Sequence, residues 1–132
     1  MPASSTSLIS GVDFVSVPTR DLAAAMEFYG ETLGLPLSVH IEGKPFAEYD
    51  TGNLTLDIIQ PDRMGLPFTP NRNHVALHVD DVAAARATLE ARGVAFEGDS
   101  FDTGVCHMAF FNDPDGNALM LHHRYAPRER AE

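Results

Sequence analysis

Hydrophobic and polar positions along this chain alternate in short stretches, broken by single amphipathic runs, and the succession occurs twice. Val12–Val17 reads as a strand in which Val15 and Val17 share one side while Phe14 and Ser16 share the other. Asp21 to Leu33 follows a helical period, with Leu22, Ala25, Met26, Tyr29 and Leu33 on one stripe, and Thr19 or Asp21 as its cap. Gly34 and Pro36 stop that helix. Three strands are predicted next, at Leu37–Ile41, Phe46–Asp50 and Leu54–Ile59, separated by Glu42-Gly43-Lys44 and Thr51-Gly52-Asn53. The stretch from Pro61 to Arg72 holds three prolines and a glycine and reads as a linker.

The order then restarts. His74–Val79 is a strand, Val82–Arg92 a helix ended by Gly93, and strands are expected from Ala95–Glu97, at Val105–Phe111 and at Ala118–His122. Between the last two, Asp113-Pro114-Asp115-Gly116 is a turn in which proline presets φ and glycine takes the left-handed conformation. At an offset of 60, Val15 meets Val75, Asp21 meets Asp81, and Ala23-Ala24-Ala25 meets Ala83-Ala84-Ala85. Two copies of a unit this long describe a fused pair of modules and not a solenoid. The fold class is α+β, two tandem βαβββ modules. Module 1 spans about 10–60, the linker 61–72 and module 2 about 73–123 of a single domain over 10–125, with flexible tails at 1–9 and 126–132.

A length of 132 residues with 44% hydrophobic content supports one domain with its own core. No apolar run is long enough to span a bilayer, and the first ten residues lack the features of a signal peptide. The single cysteine, Cys106, allows no internal disulfide and agrees with a cytoplasmic location. A net charge of −10 argues against a nucleic-acid partner and would suit a cationic guest.

Period two also sorts candidate chemistry. If Val15, Val17, Val75, Leu77, Leu119 and Leu121 pack under the helices, the opposite face carries Phe14, Ser16, Thr55, Asp57, Ile59, His74, Ala76, His78, Met120 and His122. Asp57 and His74 are the candidate catalytic pair: a carboxylate fixes an imidazole tautomer, and the imidazole removes a proton next to a carbonyl. Equally, they could form a purely structural polar pair. Phe14, Ser16, Thr55, Ile59, His78, Met120 and His122 are candidate ligand-binding residues.

Asp13-Phe14-Val15-Ser16-Val17-Pro18-Thr19-Arg20-Asp21-Leu22, Asn73-His74-Val75-Ala76-Leu77-His78-Val79-Asp80-Asp81-Val82 and Phe111-Asn112-Asp113-Pro114-Asp115-Gly116-Asn117 together resemble the vicinal oxygen chelate superfamily of glyoxalases, bleomycin resistance proteins and extradiol dioxygenases. The resemblance runs from about Gly11 to His122. It implies curved mixed sheets around a shared concave site, commonly in a homodimer with sites at the interface that draw on both chains. It also implies metal-ligand positions, which fall on Phe14, Asp57, His74 and Met120. Phe14 offers no donor and Met120 only a thioether, so two suitable ligands remain where a catalytic ion generally wants three. A shifted site of His74, Asp57 and His122 could hold Zn, Ni, Fe or Mn, although His74 and His78, four residues apart on a strand, lie about 13 Å apart and would not share an ion. The expectation is therefore a small-molecule-binding protein with a degenerate metal site. The alternative is an enzyme, a lyase, isomerase or proton-abstracting catalyst using His74 and Asp57 with or without a metal.

Overall fold

The computed structural model describes residues 7–128, so the outer parts of the two expected tails, 1–6 and 129–132, lie outside the described residues. Module 1 runs β1 (Phe14–Pro18), α1 (Leu22–Met26), β2 (Leu37–His40), β3 (Phe46–Asp50) and β4 (Thr55–Ile59). Module 2 runs β5 (Val75–His78), α2 (Val82–Ala91), β6 (Phe96–Asp102), β7 (Cys106–Asn112) and β8 (Ala118–Arg124). Each module makes a four-stranded mixed sheet of the same topology, β1-β4-β3-β2 and β5-β8-β7-β6. The first strand pairs parallel with the last, and the other two follow antiparallel. The duplicated pattern in the sequence is thus a duplicated sheet, in the order expected.

Local chemistry accounts for the helices. Asp21 and Asp81 sit at corresponding N-caps, and their carboxylates accept hydrogen bonds from the Ala24 and Ala84 amides. The first helix departs from the expected α period. After Met26 it widens into a π-helix over Glu27–Thr32, a change that hydrophobic spacing cannot signal. The linker also carries order, a short 3₁₀ turn at Pro61–Met64 closed by Gly65 in the left-handed conformation. The sixth strand, seen in sequence only as a short start at Ala95–Glu97, extends to Asp102 with a register shift on the way.

One core joins the modules. Val17, Leu22, Tyr29, Leu56 and Ile58 from the first pack in the same buried cluster as Val82, Leu89, Phe111, Leu119 and Leu121 from the second. All of these lie on the helices or on the helix-bearing faces of the sheets. The two sheets therefore turn the same, helix-covered side toward the shared core.

A buried polar network locks that arrangement. Tyr29, 0% exposed, donates its hydroxyl to Asp113 Oδ2 at 2.6 Å. Burial first, and then the Asp113 charge and hydrogen bond, push the Tyr29 pKa far up, so the phenol remains a donor. Asn117 donates to the Pro18 carbonyl and to Asp113 at 2.7 Å each, while its Oδ1 accepts from the Asn71 amide. Thr19 donates to Asp115 Oδ2 at 2.6 Å. The Asp113–Asn117 segment, read in sequence as a hairpin turn with Gly116 left-handed, keeps that turn (φ 88°) and is also the bolt between modules. Tyr29→Phe should cost about 2 kcal/mol, or roughly 6 °C in Tm, because it strips a buried donor from a carboxylate. Thermal melts of the two proteins check this, and an unchanged Tm would contradict the network's role.

Candidate functional site

The predicted face assignment can be followed strand by strand. Cross-strand register places Phe14 beside Thr55, and Ser16 beside Asp57, which in turn faces Glu48 on β3. Ile59 lies beside Pro18 and Phe46 in the next row. On the second sheet Ala76, Met120 and Phe110 form one row, and His78, His122 and Met108 the next. His74, just before β5, sets its ring edge-to-face against Phe110 with centroids 4.9 Å apart. These are the outer faces of the two sheets, away from the common core. They are partly or largely solvent-exposed, and Phe14 is 57% exposed, unusual for a large aromatic ring in a strand. For the seventh strand, Met108 and Phe110 are outer and Ala109 and Phe111 belong to the core. His107 falls on the core-side face, opposite His123, with Asp102 3.5 Å away.

Within one chain the outer faces do not meet. Phe14, Ser16, Thr55, Asp57 and Ile59 gather on one sheet, and His74, His78, Met120 and His122 on the other. Among the described residues no hydrogen bond or ion pair joins Asp57 to His74. The pairing expected from the sequence is therefore not made inside the chain, because the helix-bearing sides of both sheets are what the modules press together. Between them lies a cavity of about 430 Å³, lined mainly by Val15, Leu33, Leu56, Val75, Leu77 and Leu89. Beside it run β1 and β5, each hydrogen-bonded on one side only.

Glu48, in register with Asp57 on the same outer face, is a residue that the sequence reading passed over. Alternation along Phe46-Ala47-Glu48-Tyr49-Asp50, with Ala47 and Tyr49 buried, puts it outward, and this was visible in the sequence. Burial pushes the Asp57 carboxyl above its ordinary range, the Glu48 charge adds to that, and the Ser16 hydroxyl pulls the other way. Asp57 Oδ1 is buried with no hydrogen-bond partner among the described residues. A side chain left in this condition is primed for an external donor.

The opposite electrostatics hold on the second sheet. His122 is pushed below its ordinary pKa, first by burial and then by His78, Arg128, Arg124 and His123 around it. Arg124, two residues further along the strand, faces Cys106.

These donors do not fit a resident metal. Phe14 and Met120 leave Asp57 and His74 as the only suitable residues at the four expected positions, and among the described residues no three His, Cys, Asp or Glu side chains group as a metal site within one chain. A shifted site would recruit His122, which has Arg124 and Arg128 nearby, and their charges disfavour a divalent ion.

The model of the Glyoxalase/Bleomycin resistance protein/Dioxygenase superfamily matches residues 11–121, and the chain belongs to that family. It is 31% identical over 121 residues to the uncharacterized protein YaeR of Escherichia coli (strain K12), covering 84% of this chain and 94% of that one. The crystal structure of TnmS3, an antibiotic binding protein from Streptomyces sp. CB03234, superposes with a TM-score of 0.75 at 32% identity, over 89% of this chain and 98% of that one. Lactoylglutathione lyase from Agrobacterium tumefaciens shares the fold, with a TM-score of 0.73 at 20% identity, over 86% of this chain and 93% of that one. Among the described residues no helix is long and apolar enough to cross a membrane.

Asp57 gives a test of the site's electrostatics. Its folded pKa lies above the ordinary 3.8, so the unfolded chain gives up this proton at lower pH than the folded one does. The ionised group therefore opposes folding, by an amount that is absent below the unfolded pKa and complete above the folded one. Asp57→Asn should raise the melting temperature at neutral pH, and the gain should fade as the pH falls toward 3.8. Melts across that range would detect it, and an equal or negative effect at every pH would refute the assignment.

Proposed function

We propose that this protein binds a small organic molecule between the outer face of the first sheet of one chain and the outer face of the second sheet of a partner copy. The observation that carries the reading is the replacement of half the family's ligand positions by Phe14 and Met120, on faces that are open in a single chain. An aromatic ring and a thioether make a good wall for a flat or irregular guest and a poor cage for an ion. Phe110, Met108 and the His74 ring extend the same kind of surface on the second sheet.

The geometry of the chain supports a homodimer. Apolar side chains line the cavity beside β1 and β5, whose free edges would otherwise meet solvent. In this reading a second copy covering this side would bring Phe14 and Asp57 of one protomer opposite His74 and Met120 of the other. The likeness to TnmS3, an antibiotic binding protein, supports a sequestering role. Glu48 and Asp57, adjacent in register with an unpartnered oxygen between strands, supply the wall that would take a cationic nitrogen of the guest.

A thermal-shift screen of basic aromatic drugs, glycopeptides among them, tests the reading. At least one compound should raise the melting temperature. Phe14→Ala and Met120→Ala should each weaken its binding by roughly 1 kcal/mol, about fivefold. Silence across a broad library, or full affinity in both variants, would contradict it.

A further inference from the structure

The second sheet's outer face ends in a group of basic side chains for which the reading above has no use. The chain carries 19 Asp and Glu against 9 Lys and Arg, so an arginine set among imidazoles and away from carboxylates needs a reason. His78 and His122 are register partners on β5 and β8, and Arg124 continues the same face. The Arg124 guanidinium meets no carboxylate among the described residues. Its Nη1 lies 3.8 Å from Cys106 Sγ, its Nη2 donates to the Pro127 carbonyl at 3.3 Å, and its Nε is buried with no partner among the described residues. A buried guanidinium N–H left over in this way costs free energy that an added acceptor recovers.

Basic side chains surround His122. Arg124, His123 and Arg128 come from β8 and the segment after it, and His78 comes from β5. Met108 on β7 is uncharged. Asp80 lies 3.3 Å from His78 Nε2 and is fully open to water, where it is screened. His123 is held by a contact of 3.1 Å between its Nδ1 and the Val79 carbonyl, which leaves Nε2 for other work.

We infer that His78, His122 and Arg124 form an anion subsite, so that the guest of this pocket carries a carboxylate or a phosphate-type group at the end facing the second sheet. This rests on the pocket reading for the identity of the guest, though not for the binding of the anion. With Glu48 and Asp57 on the facing sheet, the composite site would be negative on one wall and positive on the other. A guest with a cationic nitrogen and an anionic group at opposite ends of an apolar or aromatic body satisfies both walls. A purely cationic guest would leave Arg124 Nε unpaired.

Two-dimensional NMR of the ¹⁵N-labelled full chain, titrated separately with sodium phosphate and sodium benzoate against sodium chloride of equal ionic strength, tests the inference. Saturable movement of the His78, His122 and Arg124 signals is expected with either or both oxyanions, and not with chloride. A response to phosphate alone supports a phosphate-type group, and a response to benzoate alone supports an aromatic carboxylate. Arg124→Gln and His122→Gln should each weaken that binding at least about tenfold, the worth of a charge-assisted hydrogen bond. Arg63→Gln, at a side chain that reaches the Gly43 carbonyl in the first module, should leave it unchanged. Signals that follow ionic strength alone, or undiminished binding in both subsite variants, overturn the inference. Inorganic phosphate needs neither a second chain nor an organic guest. A null result here would leave the drug screen standing, and an empty screen would leave this binding intact.

Discussion

Tyr29, Asp113 and Asn117 hold the two modules together, and the direction in which they do so decides everything on the outside of the molecule. A buried phenol, a carboxylate and an amide satisfy one another across the module boundary, with the Pro18 carbonyl and the Asn71 amide completing the set. Polar groups buried at such a boundary are tolerated only when every partner is in place, so the network permits one arrangement of the modules. That arrangement brings helix-bearing sides together. The chemistry-bearing faces are left pointing outward, so that under the proposed function a single chain presents two half-sites.

Each half-site has its own character. The first sheet offers Phe14, a hydroxyl and two carboxylates that crowd each other. The second offers His74 against Phe110, two methionines, and an end where the His122 imidazole lies next to the Arg124 charge. Neither half resembles a metal centre, and the reason is residue chemistry: a phenyl ring has no lone pair to give, and a thioether is a soft donor. Both halves suit an organic guest, whose body meets the rings and thioethers and whose polar ends meet the charges.

Much of this was legible in the sequence because it depends on period two and on a repeat. The buried set Val17, Leu119 and Leu121 and the outward set Phe14, Asp57 and Met120 follow from alternation alone, and the equivalence of Asp21 with Asp81 from counting. Other features depend on contacts distant in the chain. Tyr29 and Asp113 are 84 residues apart, and no local pattern says that a hairpin turn will also bind the first module's helix. For the same reason alternation could place Asp57 and His74 outward without showing that they belong to different faces of one chain. Glu48 was within reach of the same argument had it been carried to the third strand. Arg124 was not, since its significance lies in the partners it lacks.

The central claim is that the outer faces become a site only when two chains meet. Light scattering on the protein as it elutes from gel filtration addresses it most directly. The account predicts a mass of twice the 14.3 kDa chain at micromolar concentration. A mass of one chain under those conditions would leave Phe14 and Asp57 with nothing opposite them, and would contradict it.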